Sequence, residues 1–136
     1  MSDDDVLTGT GTNPTLNFNF VNDADTGDAS IQPTLNGIET INVDHRANVN
    51  LDLDLQDATG VTTVKGEGVD DGLTALVSNV TTSGGLTSLT IEDSNSPTGN
   101  VNQTALDSAL SGSSDVLGLT LSDAQLAGVL LQENAA

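Results

Sequence analysis

The sequence predicts an all-β fold, a parallel β-solenoid of the right-handed β-helix or β-roll kind carrying one or two short helices. Three observations lead to it. Aliphatic residues alternate with polar ones in short runs, as on a strand with one face buried. A glycine-led phrase recurs at near-constant intervals. Aromatics are reduced to Phe18 and Phe20, so the core must be assembled from Val, Leu, Ile and Ala, which suits thin, repetitive β architecture.

The phrase reads "GIETINV" from Gly37, "GVTTVKG" from Gly60, "GLTALVS" from Gly72 and "GLTSLTI" from Gly85, with glycine spacings of 23, 12 and 13 residues. A strand returning every 23 to 25 residues is what a coil with two or more short strands per turn produces, each coil burying its aliphatics on the next. Between the first two glycines lies "ANVNLDLDLQDATG", 47–60, where Val49, Leu51, Leu53 and Leu55 alternate with Asn50, Asp52, Asp54 and Gln56, predicting a further strand. Asp5-Val6-Leu7-Thr8 recurs in altered form as Asp115-Val116-Leu117-Gly118-Leu119-Thr120. The end thus restarts the beginning, and the chain reads as one domain cut from a longer array: 1–36 a degenerate repeat, 37–100 the core coils, 101–136 a helix and the start of the next repeat. About seven short strands would also build an adhesin-like β-sandwich, the alternative fold; parallel pairing of the Gly37, Gly60 and Gly85 segments separates the two.

Two segments read as helical. In "VNQTALDSALSG", 101–112, Leu106 and Leu110 stand at i, i+4 with Asn102 as N-cap and Gly112 as the stop. In "LSDAQLAGVLLQ", 121–132, Ser122 and Gln125 form a capping box and Leu126, Val129 and Leu130 share a face, although Gly128 weakens it.

Charge excludes some function classes. Twenty acids face only Arg46 and Lys65, a formal net charge of −18 among 136 residues. Such a surface repels itself unless salt or bound cations cancel the field, which points to Ca²⁺. Nucleic-acid binding needs clustered Lys and Arg, absent here. The chain has no Cys, hence no disulfide, thiolate metal site or thiol nucleophile. The N-terminus shows no basic or apolar signal region, and the longest apolar run, "LAGVLL", is too short to insert in a bilayer.

Calcium takes oxygens from carboxylates, amides and backbone carbonyls, which Asp-, Asn- and Gly-rich turns supply. Candidate ligands are Asp23, Asp25 and Asp28 in "VNDADTGDAS"; Asp52 and Asp54 along one strand face; and Asp70, Asp71, Glu92 and Asp93, which end successive strands and would converge in stacked coils. An EF-hand does not fit, because Asp28 and Thr34 fall where its Gly and Glu belong, counting from Asp23. Catalysis is not expected: His45, the lone imidazole, reads as a surface residue between Asp44 and Arg46, and no serine stands on a G-x-S-x-G elbow. Thr63, Thr81 and Thr87 or Thr90 would make an outward ladder for ice or carbohydrate, or merely fill exposed strand positions.

"PTLNGIETINV", "NVNLDLDLQDATGVTTVKGEG", "GLTSLTI" and "SSDVLGLTL" resemble the β-helical repeats of bacterial surface-layer proteins of the RTX-related kind, and "DDDVLTGTGTNPTL", 3–16, resembles a degenerate calcium-binding nonapeptide repeat. The resemblance implies an extracellular, secreted structural protein: a calcium-stabilised, self-associating lattice or surface fibre on the cell surface. The alternative it leaves is an adhesin whose partner is a cell-surface polysaccharide.

Overall fold

The structure is a computed structural model that describes residues 4–20, 28–47, 49–68, 74–81, 86–92, 95–106 and 116–134. Thirteen strands run through them: β1 (Val6–Thr8), β2 (Thr15–Phe20), β3 (Ala29–Ile31), β4 (Thr34–Asn36), β5 (Thr40–His45), β6 (Leu51–Asp54), β7 (Ala58–Thr59), β8 (Thr63–Glu67), β9 (Thr74–Val80), β10 (Ser88–Glu92), β11 (Asn95–Leu106), β12 (Gly118–Ser122) and β13 (Gln125–Asn134). They form a three-stranded sheet, β1-β4-β7, and two five-stranded sheets, β12-β10-β8-β5-β2 and β13-β11-β9-β6-β3. Every pairing among the described strands is parallel and joins strands one coil apart, the strand order of a parallel solenoid. An antiparallel sandwich is thereby ruled out, as is a roll with only two sheets.

The recurring phrase is a corner followed by a strand of the β2-containing central sheet. Gly37 and Gly60 adopt φ of 63° and 87°, a left-handed turn that side chains resist, and a Cβ on Gly60 would lie 3.6 Å from the Cα of Gly37. The residues that follow stack in register: Thr40 pairs with Thr63 and Thr63 with Ser88, so the Gly37, Gly60 and Gly85 segments lie side by side in one direction. The Gly72 copy supplies β9 of the neighbouring sheet, which is why its spacing halves the period.

Alternation decides what is buried. Inward rows run Leu16–Ile41–Val64–Leu89–Leu119 and Phe18–Val43–Gly66–Ile91–Leu121 in the central sheet. Val49, Leu51, Leu53 and Leu55 are buried as their alternation predicts, with Asp52 and Asp54 half-buried outside. Threonine hydroxyls tie the middle coils together: Thr59 donates to the Leu35 carbonyl at 3.3 Å, Thr62 to Glu39 at 3.4 Å, Thr81 to Ala58 at 2.6 Å and Thr87 to Thr62 at 3.1 Å.

Neither expected helix is present among the described residues. Residues 101–106 belong to β11, and 107–112 lie outside the described set. Residues 121–132 divide between β12 and β13, broken at Asp123 with φ of 48°. A helix of about twelve residues is marginal alone, whereas β11 finds backbone partners on both β9 and β13. Register therefore overrides the local i, i+4 pattern, and Ser122 and Gln125 end one strand and open the next instead of capping a helix. One irregularity is a bulge in β9, where Ser78 and Asn79 (φ 52°) stand between partners of Gln103 and Ala105.

His45 is a second correction. It is 1% exposed, its ring 5.5 Å from that of Phe20 and its Nε2 2.9 Å from the Val49 carbonyl oxygen. It follows Val43 by two on the inward face of β5, so strand alternation places it in the core.

Candidate functional site

The outward rows of the central sheet are wholly polar. They read Thr15–Thr40–Thr63–Ser88–Gly118, then Asn17–Asn42–Lys65–Thr90–Thr120, then Asn19–Asp44–Glu67–Glu92–Ser122. The third row stacks three acids at the spacing of neighbouring strands, about 4.8 Å, where like charges repel. Both cations of the chain stand against it. Lys65 Nζ lies 2.7 Å from Glu92 and 4.0 Å from Glu67; Arg46 Nε lies 2.7 Å from Asp44, and its Nη2 3.6 Å from Glu67. In a chain of net charge −18 this ladder is a place where the acidic field is locally balanced.

Beside the ladder a groove of about 230 Å³ crosses three coils, lined by Asn17, Asn19, Asn42, Asp44, Lys65 and Glu67. The Asn42 side-chain amide Nδ2 donates to the Asn17 side-chain Oδ1 at 2.7 Å. Asp44 Oδ1 is buried without a hydrogen-bond partner, beneath the Gly68 turn.

Each of the calcium candidates among the described residues has a partner within the fold. Asp28 Oδ1 accepts from the Asn50 backbone N–H at 3.2 Å and its side-chain amide at 2.9 Å; Asp52 accepts from the Ser78 hydroxyl at 2.6 Å; Asp54 accepts from the Gln56 N–H at 2.9 Å. Glu92 faces Lys65 and, one coil back, Glu67. These four hold turns and coils together, and among the described residues there is no group of three or more His, Asp or Glu side chains placed to hold a metal ion. Asp23, Asp25, Asp70, Asp71 and Asp93 lie outside the described residues. The threonines disperse as well: Thr63 stands in the first outward row and Thr90 in the second, while Thr81 and Thr87 bond to backbone.

The other distinctive surface is at the ends of the stack. Among the described residues the exposed large hydrophobics are Val6 on the first coil and Val116, Leu119, Leu121 and Leu130 on the last. Leu119 and Leu121, 45% and 53% exposed, continue rows whose previous members, Leu89 and Ile91, are 1% and 0% exposed. Leu7, Leu16 and Ala29 at one end, and Leu117 and Val129 at the other, pack on the core only in part.

The ladder is hard to see along the sequence because Asp44, Glu67 and Glu92 stand 23 and 25 residues apart. The signal was present, since Asp44, Glu67 and Glu92 each stand seven residues after a repeat glycine, Gly37, Gly60 and Gly85. Comparison with known protein families, with curated proteins and with solved structures finds no match.

Proposed function

We propose that the protein is a structural, non-catalytic element of an extracellular cell-surface assembly, of surface-layer or fibre type, that works by associating with copies of itself. The observation that carries the reading is the confinement of exposed large apolar residues to the first and last described coils. Apolar surface so placed supports a contact with a further coil, whether of this chain or of another copy, and edge strands are templates for further strands. Static light scattering across a concentration series tests it: mass should rise with concentration, and a persistent monomer would sink the reading.

Calcium enters this proposal through the sequence alone, as the cation that would offset the acidic field and stiffen the assembly. Its ligands would come from Asp23, Asp25, Asp28, Asp52, Asp54, Asp70, Asp71, Glu92 and Asp93, the acids of one loop, one strand face and successive strand ends.

The groove favours a second reading, a polysaccharide-binding adhesive face. Its amides, carboxylates and ammonium offer donors and acceptors together with little net charge, which suits a neutral polyhydroxylated ligand. Titration with neutral oligosaccharides, followed by chemical-shift change in Asn17, Asn19 and Asn42, tests it; no change in those amides removes it.

A further inference from the structure

We infer that the outer face of the central sheet is a lateral contact between two copies of this chain, which lie side by side with the same polarity about a twofold axis. The axis runs along the stack, between the second and third outward rows. The inference rests on the self-association proposed above and adds to it a contact on a face to which every coil contributes.

Charge selects the face. The sequence holds twenty acids and two cations, and both cations stand here, Lys65 and Arg46 against Asp44, Glu67 and Glu92. Copies of net charge −18 repel through any face that is acidic alone, so close approach is favoured where opposite charges are interleaved. The other members of the three rows are Thr, Asn, Ser and Gly, all exposed or half-buried, and their amides and hydroxyls offer donors and acceptors together.

Charge also selects the symmetry. With the two sheets fully overlapped, a twofold axis parallel to the strands lays the third row on itself, acid on acid. An axis along the stack and through the second row sets Lys65 on Lys65; through the third, it sets Asp44, Glu67 and Glu92 each on its own copy. Between the two rows every overlay changes. Lys65 then faces Glu67 of the other copy and Glu67 faces Lys65, while Asp44 faces Asn42, Glu92 faces Thr90 and Asn19 faces Asn17. Arg46, two residues beyond Asp44, comes over Thr40. No like charges meet, and the groove of about 230 Å³ lies along the axis. Five strands about 4.8 Å apart, each about five residues long, give roughly 400 Å² per copy, the size of a weak and transient contact that grows with each coil in a stack.

The symmetry supplies its own test, by light scattering over a concentration series at physiological ionic strength. Lys65→Glu sets acid on acid at both contacts between residues 65 and 67, and should associate about tenfold more weakly than the parent. Glu67→Lys sets cation on cation and should weaken association by about the same factor, although it lowers the net charge. An equimolar mixture of the two variants restores opposite charges at both contacts and should recover the parent's mass. Circular dichroism checks that each variant folds. Asn42→Asp gives Lys65 an added acid on the neighbouring strand of its own chain, yet sets like charges against Asp44 of the other copy, and should weaken association as well. If the parent associates but the mixture stays as weak as its components, or the variants match the parent, the lateral contact is overturned while self-association stands, and the face is left to the oligosaccharide reading. If the parent is monomeric at every concentration, both fall together.

Discussion

Gly66 and Gly68, two residues apart, should respond to alanine with opposite signs. Gly66 occupies the inward row between Val43 and Ile91, yet an added Cβ there meets no heavy atom within 4 Å. Its φ is not among the positive values, so alanine fits the backbone without strain. Replacing glycine inside a strand recovers about 0.5–1 kcal/mol of backbone entropy. A buried methyl adds up to about 0.8 kcal/mol, reduced because the site is half-buried. Gly66→Ala should therefore stabilise by about 1 kcal/mol, raising the melting temperature by roughly 3–5 °C for a domain of this size. Gly68 has φ of 76°, and its Cβ would stand 3.1 Å from the His45 carbonyl oxygen and 3.3 Å from Asp44 Oδ1. Gly68→Ala pays about 1–2 kcal/mol for the left-handed conformation before any contact is relieved, so it should melt lower by a comparable or larger amount. Thermal unfolding followed by far-ultraviolet circular dichroism reads both. A fall in melting temperature for Gly66→Ala would mean that the row around it is packed differently, and with it the stacking of β5, β8 and β10.

Other consequences are as testable. Leu53, fully buried in β6, should cost about 3–4 kcal/mol when cut to alanine, read from urea unfolding; a loss under about 1 kcal/mol would contradict its place in the core. Lys65→Gln leaves Glu67 and Glu92 stacked without their ammonium, and because these groups are about one-third exposed the loss should stay below about 1 kcal/mol at low salt and vanish near 1 M NaCl; a salt-independent loss would assign Lys65 a packing role. Millimolar CaCl₂ should raise both melting temperature and particle size beyond NaCl of equal ionic strength, and equality of the two salts would remove calcium from the proposal.

Much of the fold was legible because a solenoid writes its geometry into the sequence twice. Period-two alternation gave the strands, as in Leu51, Leu53 and Leu55, and the return of Gly37, Gly60 and Gly85 gave their parallel alignment. What was misread is what local patterns decide poorly. Leu106 and Leu110 suit a helix only if β9 is ignored, since a partner strand from another coil is invisible to a window of twelve residues. His45 was judged by its charged neighbours in sequence, Asp44 and Arg46, although alternation from Ile41 and Val43 already placed it inside. Asp28 in its acid-rich loop and Asp52 and Asp54 along their strand face accept hydrogen bonds that fasten turns and coils, partners that no local pattern shows. The ladder appears only when residues are read across the repeats, at fixed offsets from each glycine.

The turn threonines have a mechanical consequence. Each hydroxyl of Thr59, Thr62, Thr81 and Thr87 grips a carbonyl of the coil before it, in the same sense as the strand ladders. A pull along the stack therefore meets these grips between the middle coils, and each coil that unwinds releases roughly 80 Å of chain for about 24 residues before the next one bears the force. Such a molecule would lengthen in equal steps and rewind in the same order, more like a ratcheted cable than a brittle rod.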